Sequence, residues 1–273
     1  MKTMKKTLAG FVSCLAIAMC AIGDDTFNSA SATDKVSPKD ITMMSFNIRM
    51  GCGLSNPFNI PEGELGHLPE CAKVIRSANP DWVAIQEIDQ GTKRAGHIDQ
   101  TAELAKLCGM NGYFVGKVPR TDGMYGLAVL SKEKAISTSK ILMPGSSHTR
   151  CLEIVEFKDY IVACTHMPLK QAFRLRAAEL IRLNLEGRDK PVFLAGDMNA
   201  KPDTPEIAEL KKSFTILSDT EKPTFRADNP NRCIDYIMVD TQHAPRVKVK
   251  SYDVVAAPEA TDHCGLVLKA TLE

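Results

Sequence analysis

Residues 191–202 read PVFLAGDMNAKP, a short apolar run that closes on Asp197 and, two positions on, Asn199. An apolar run of this length is a buried strand, and a carboxylate placed at its end is costly to bury without a partner. The same grammar recurs on both sides. Upstream, ITMMSFNI, DWVAIQEI, GLAVLS, RCLEIVEF and YIVACTH read as strands, and downstream so do RCIDYIMVD, VKVKSYDVV and GLVLKATL. Helical patterns fall near 68–78, near 99–108 and about 170–187, and a short helix opens at Thr204 and Pro205. In the longest, Phe173, Ala177, Leu180 and Ile181 share one face, which leaves Arg174, Arg182 and Glu186 for solvent. Strands outnumber helices and the two are mixed, an α/β pattern that suits two packed sheets with helices outside.

Six of these segments end an apolar strand with polar residues: Asn47, Glu87, His166, Asp197 with Asn199, Asp235, and Asp262 with His263. Singly, each has a plain structural explanation, such as a turn, a salt bridge or a cap. The ordered set changes the reading. Strand ends are where loops gather side chains around a ligand, and these types supply what phosphoester hydrolysis needs: oxygen ligands for a cation, a base for water and donors for phosphate oxygens.

In order and spacing, SFNIR, QEID, THMP, GDMNAKP, RCIDYI and TDHCG resemble the motifs of the endonuclease/exonuclease/phosphatase superfamily, which includes deoxyribonuclease I, exonuclease III, sphingomyelinases and inositol-polyphosphate 5-phosphatases. The match spans about 40 to 271. The resemblance implies a deoxyribonuclease I-like four-layer α/β/β/α sandwich, with the site at one edge. It also implies roles. Glu87 is the leading metal ligand, with Asn47 and Asp262 nearby, and an all-oxygen shell suits Mg²⁺ or Mn²⁺ better than zinc. Asp197 orients or deprotonates the attacking water, while Asn199 donates to a phosphate oxygen or holds that water in line. His263 is the catalytic histidine and Asp235 its partner, and either His263 or Asp197 takes the proton of water. His166 binds a phosphate oxygen, as imidazolium or as a neutral donor.

Two further segments point to substrate. RAGHIDQ offers Arg94, Asp99 and Gln100, and MYGLAVLS offers Tyr125, which in similar enzymes lies beside the scissile phosphate; Asp99 also suits a helix cap and Tyr125 a core position. His67, His97, His148 and His243 lack a motif and read as exposed loop histidines.

At the N-terminus, Lys2, Lys5 and Lys6 precede an apolar run from Leu8 to Ile22, and Ala21 and Gly23 stand at positions −3 and −1 of a cleavage site, so residues 1–23 read as a secretory signal peptide. The run falls short of the ~20 apolar residues that span a bilayer, so no transmembrane helix is expected in the mature chain. Cys20 offers a lipid anchor, although Met19 is bulky where such sites carry a small residue. Residues 24–39 are polar and read as a flexible linker to a catalytic domain over 40–273. These features predict an exported monomer, periplasmic, secreted or lipid-anchored.

Removing residues 1–23 leaves 31 Lys and Arg against 33 Asp and Glu, a formal net charge of −2. A duplex-tracking groove needs clustered cations, so the charge and the single tryptophan favour a small or lipid-linked phosphorylated substrate over nucleic acid. Lys117, Arg120, Lys132 and Lys134 are the cations that a nuclease would gather near the site. A non-catalytic phospho-ligand binder would lack Glu87, Asp197 or His263, and all three are present. Seven cysteines lie beyond the signal without paired spacing. Cys108 and Cys164 read as core, and Cys52 and Cys71 are the pair nearest in sequence for a disulfide.

Overall fold

The computed structural model describes residues 38–54, 58–120, 122–145 and 150–273, without the side chains of 117–120. The predicted signal peptide, Cys20, nearly all of the linker and His148 lie outside the described residues.

The strands are β1 (Lys39–Asn47), β2 (Trp82–Gln90), β3 (Asn111–Arg120), β4 (Gly123–Ser131), β5 (Ser137–Met143), β6 (Arg150–Glu156), β7 (Ile161–His166), β8 (Val192–Asp197), β9 (Phe214–Ile216), β10 (Asp235–Asp240), β11 (Val247–Val255) and β12 (Gly265–Leu272). The helices are α1 (Leu68–Ala78), α2 (Gln100–Cys108), α3 (Gln171–Leu185) and α4 (Pro205–Leu210). Two six-stranded sheets form, in the orders β11-β12-β1-β2-β4-β3 and β5-β6-β7-β8-β10-β9. Trp82, Val129, Leu268, Val162, Phe193 and Ile237 fill the layer between them. Leu68, Ile75 and Leu104 of α1 and α2 cover the outer face of the first sheet, and Ala177, Ile181 and Ile207 of α3 and α4 cover that of the second. This is the expected four-layer α/β/β/α sandwich.

Each sheet has one parallel pair at its centre, β1 with β2 and β7 with β8, joined through α1 and through α3 respectively. All other pairings are antiparallel. The parallel strands are covered on both faces, which is why they read as unbroken apolar runs. Their C-terminal ends carry Asn47, the Gln86–Glu87 step, His166 and Asp197.

Several expectations need correction. Arg174 and Arg182 are not a solvated stripe: Arg174 pairs with the buried Glu206 at 2.5 Å and Arg182 with Glu209 at 3.0 Å, so the charges of α3 hold α4. β3, β5 and β9 went unread, because NGYFVGKVPR is broken by Gly and Pro, β5 is an exposed edge, and β9 has three residues. His243 is buried with Nδ1 2.7 Å from Asp240, whereas His97 is exposed and His67 half-buried. Cys164 is core but Cys108 is only half-buried, Cys52 and Cys71 are separate buried thiols, and no described cysteine is in a disulfide.

Candidate active site

The two central strand pairs bring their C-terminal ends to one edge of the sandwich. His166 and Asp197 are register partners across β7 and β8, and Asp235 is the partner of Asp197 across β8 and β10. Gly196 makes this closeness possible: with φ +148, a Cβ there would lie 1.9 Å from the Thr165 carbonyl oxygen. On β2 the register with β4 slips between Gln86 and Ile88, and Glu87 takes φ +56. The bulge turns Glu87 out of the alternation that buries its neighbours, leaving its side chain 22% exposed. Asn199 also has positive φ, +49; its backbone N–H donates to Asp197 Oδ1 at 2.8 Å and its Nδ2 to the Met167 carbonyl at 3.0 Å. Strained non-glycine backbone at Glu87 and Asn199 marks positions held for something other than packing.

The two sheets meet through side chains. Asn47 Nδ2 donates to Glu87 Oε1 at 3.2 Å and to Asp197 Oδ2 at 3.3 Å. His263, buried, has Nδ1 3.1 Å from both oxygens of Asp235 and Nε2 3.7 Å from Asp197 Oδ2. Thr224 donates its hydroxyl to Asp235 Oδ2 at 2.6 Å and accepts from the N–H groups of Ile234 and Asp235, which fixes the carboxylate against the imidazole. Burial alone would push the His263 imidazolium down, but Asp235, Asp197 and Asp262 outweigh it and push it up to about 10. Burial, with the neighbouring Asp235 and Glu87 charges, pushes Asp197 up to about 7 against the opposing pull of His263.

His166 is buried between two partners: Arg150 Nη1 lies 3.0 Å from its Nδ1, and Asp197 Oδ2 lies 3.4 Å from its Nε2. A guanidinium only donates, so Nδ1 accepts and Nε2 carries the proton toward Asp197. In this arrangement the His166 ring faces Arg150 and Asp197, and the phosphate contact expected of it is not part of the geometry seen. Arg150 also hydrogen-bonds Tyr125, and burial plus the Glu87 charge push the Tyr125 phenol well above its usual range, keeping it protonated as a donor. Arg94 lies over the Tyr125 ring at 4.9 Å while gripping buried Asp89 through Nε and Nη2 at 2.5 and 2.8 Å. Sequence reading missed Arg150 and Asp89. The signal available for Arg150 was an arginine opening an apolar strand, where it is 7% exposed.

Two proposed substrate residues have other work. Asp99 caps α2, accepting from the Ala102 N–H at 3.0 Å and from Gln90 at 2.7 Å. Gln100 is fully buried, accepting from the Asp89 N–H and donating to the Met50 carbonyl, so it ties the turn after β1 to β2. The polar ends of both are taken by the fold, which leaves neither for substrate. Lys132 and Lys134 follow the far end of β4 from Tyr125, with Lys132 bound to Asn79 and Asp81, so they do not reach this edge.

The donor set fits a hard divalent cation. Glu87 is the half-open carboxylate of the cluster, Asp262 is 23% exposed, 3.5 Å from Arg49 Nε and close enough to His263 to act on its charge, and burial together with the Asp235 and Glu87 charges raises Asp197. Asn47 turns its amide nitrogen to Glu87 and its Oδ1 to the Arg49 N–H at 3.1 Å. Asp197, Asp235 and His263 also place ligand atoms within 4.8 Å of one another, but both ring nitrogens of His263 already face carboxylates. That trio is a proton network first.

The family model described as Endonuclease/Exonuclease/phosphatase family matches residues 44–263. Comparison with curated proteins by sequence gives no match. Among solved structures, an endonuclease/exonuclease/phosphatase from Beutenbergia cavernae is similar at 21% identity and TM-score 0.69, over 85% of this chain and 72% of that one. One from Bacteroides vulgatus is similar at 19% identity and TM-score 0.69, over 86% of this chain and all of that one, 100%. A mannosyl-6-phosphatase from Bacteroides thetaiotaomicron is similar at 15% identity and TM-score 0.63, over 84% and 99%. At these identities the likeness is one of fold.

Proposed function

Because the chain belongs to the endonuclease/exonuclease/phosphatase family, we propose that it is a divalent-metal-dependent hydrolase of phosphate esters. The observation that carries this reading is the cluster in which Asn47 hydrogen-bonds both Glu87 and Asp197, while His263 is bonded to Asp235 and lies 3.7 Å from Asp197. Glu87, with Asp262 and Asn47 as further oxygen donors, would hold the cation, Mg²⁺ or Mn²⁺. When bound, that ion neutralises phosphate charge and polarises the ester for attack.

The protein's own groups then divide the work. His263, pushed up by its carboxylates, keeps a proton at neutral pH and donates to a phosphate oxygen. Asp197, beside it, is the acceptor for the proton of the attacking water, and Asn199 orients that water or a phosphate oxygen. Of the two candidates for general base, Asp197 is the one free to act, because His263 is already protonated. Arg150 and Tyr125 supply donors where charge develops on the phosphate, and neutral His166 links Arg150 to Asp197. Arg94 acts through Tyr125, whose ring it covers.

The substrate is a phosphorylated small molecule or a lipid-linked phosphoester, and the site of action is outside the cytoplasm. The signal peptide expected over residues 1–23 and the net charge of −2 beyond it support this, as does the position of Lys132 and Lys134 away from the catalytic edge. The fold neighbour described as a mannosyl-6-phosphatase is in keeping with it. No helix among the described residues is long and apolar enough to cross a membrane. The test is hydrolysis of p-nitrophenyl phosphate, bis-p-nitrophenyl phosphate, sphingomyelin and plasmid DNA, with Mg²⁺ or Mn²⁺ and with EDTA. Metal-dependent turnover of one of the first three supports the reading; turnover of DNA alone makes the protein a nuclease; silence on all with metal bound points to a narrower substrate or to a phospho-ligand binder.

A further inference from the structure

Three guanidinium groups lie over aromatic rings around the catalytic cluster: Arg49 over Phe58 at 4.6 Å, Arg94 over Tyr125 at 4.9 Å and Arg232 over Phe225 at 4.4 Å. Two are answered by carboxylates, Arg94 by Asp89 at 2.5 Å and Arg49 by Asp262 at 3.5 Å. Arg232 is exposed, and among the described residues no carboxylate stands within ion-pair distance of it. The neighbouring Arg226, in contrast, is paired with Asp228 at 3.2 Å.

The position of Arg232 is built into the site. Phe225 and Arg232 exchange backbone hydrogen bonds at 3.1 and 3.2 Å, and the Thr224 N–H adds a third to the Arg232 carbonyl at 2.9 Å. The same two residues are anchored to the catalytic groups. Thr224 donates to Asp235, its carbonyl accepts from the Cys264 N–H at 2.8 Å, and the Phe225 ring lies 4.7 Å from the His263 ring. Arg232 is thus one aromatic ring away from the catalytic imidazole. A guanidinium lying on a ring keeps its N–H donors directed outward in one plane, the geometry that grips phosphate or carboxylate through two hydrogen bonds. The ring also strips water from one face, which strengthens its attraction for an anion.

We infer that Arg232, mounted on Phe225, is a second anion subsite, so that the substrate carries a further phosphate or carboxylate besides the phosphate that is cleaved. This rests on the phosphoesterase reading above and narrows its substrate class. The side chain is exposed and its loop is held by backbone bonds, so substitution leaves the fold intact.

The experiment measures binding by calorimetry to the full-length chain saturated with Mg²⁺. The probes are methylphosphonate, with one anionic head, and methylenebisphosphonate and phosphonoacetate, with two. In Arg232→Gln, the two-headed probes should weaken tenfold or more while methylphosphonate changes by less than about threefold, since a bidentate charge-assisted contact is at stake only in the former. Arg232→Lys, which keeps charge but not the fork, should recover part of the loss. A larger loss with methylenebisphosphonate assigns the second head as phosphate, and with phosphonoacetate as carboxylate. Equal losses for one- and two-headed probes, or none, would overturn the subsite. Failure of the parent reading shows separately, as absence of turnover of every ester by the unsubstituted protein.

Discussion

Glu153 lies on β6 with no exposed surface, and neither carboxylate oxygen has a hydrogen-bond partner among the described residues. Its neighbours two positions away, Cys151 and Val155, face the layer between the sheets. Its register partner Cys164 contacts Gln86 Nε2 at 3.4 Å, while Gln86 Oε1 is likewise unpartnered. Burial therefore pushes the Glu153 carboxyl well above the 4.5 of an exposed glutamate, and it stays protonated in the fold at neutral pH. The unfolded chain loses that proton above about pH 4.5 and the folded chain does not, so this residue's contribution to stability is complete below pH 4.5 and declines as pH rises. Each pH unit in that window costs a factor of about ten in the folding equilibrium. Glu153→Gln, of the same shape and neutral at every pH, removes the dependence. Urea unfolding at pH 5.5, 6.5 and 7.5 should show the midpoint of the variant gaining on the parent by roughly 0.5 M per pH unit, for an m-value of ~3 kcal/mol/M. A constant offset between the two proteins across that range would refute the reasoning, because it would mean that Glu153 is ionised and paired in the fold.

The catalytic network makes a pH prediction. With Asp197 pushed up to about 7 and His263 to about 10, kcat/KM should rise through the first value as Asp197 loses its proton and fall near the second as His263 does; Asp235→Asn should move the alkaline limb to lower pH, and an unmoved limb would remove Asp235 from its role. His263→Ala and Asp197→Ala should each lower turnover by a factor of ~10² or more with the circular-dichroism spectrum unchanged, and near-normal rates in both would sink the assigned roles. EDTA should abolish activity and Mg²⁺ restore it, with Glu87→Gln raising the Mg²⁺ concentration for half-activity at least tenfold; equal metal titrations in variant and parent would exclude Glu87 as the ligand. Gly196→Ala should separate the ends of β7 and β8, and is expected to cost activity and a melting temperature several degrees lower, whereas a wild-type melting curve would show that the Thr165 contact relaxes freely.

The architecture was legible because the central strands are buried on both faces and read as unbroken apolar runs, and because each run that mattered closed on a polar residue. ITMMSFNI and PVFLAGDMN needed no partner to be recognised, and the ordered motifs they belong to carried the family resemblance. The edge elements were not legible: β5 is exposed along most of its length and β3 is interrupted by Gly and Pro, so neither has the periodicity from which a strand is read. The sequence also picked out residues that the fold brings to one edge, since Glu87, His166, Asp197, Asn199, Asp235 and His263 differ from their surroundings in type. It could not separate Asp99, which caps a helix, from a substrate ligand, because an Asp before a helix fits both.

By itself, then, the sequence determined the alternation of strands and helices, the polar groups at strand ends and the chemistry those groups can perform, all of which depend on residue type and near neighbours. Only the tertiary structure decided which distant groups meet. Arg150 reaches His166 on the neighbouring strand and Tyr125 on the other sheet, Thr224 locks Asp235 against His263, and among the described residues Arg232 has no carboxylate within ion-pair distance while Arg49 and Arg94 each have one. Hydrogen bonds and ion pairs act over a few ångströms, and chain distance says nothing about which of those ångströms two sheets will close.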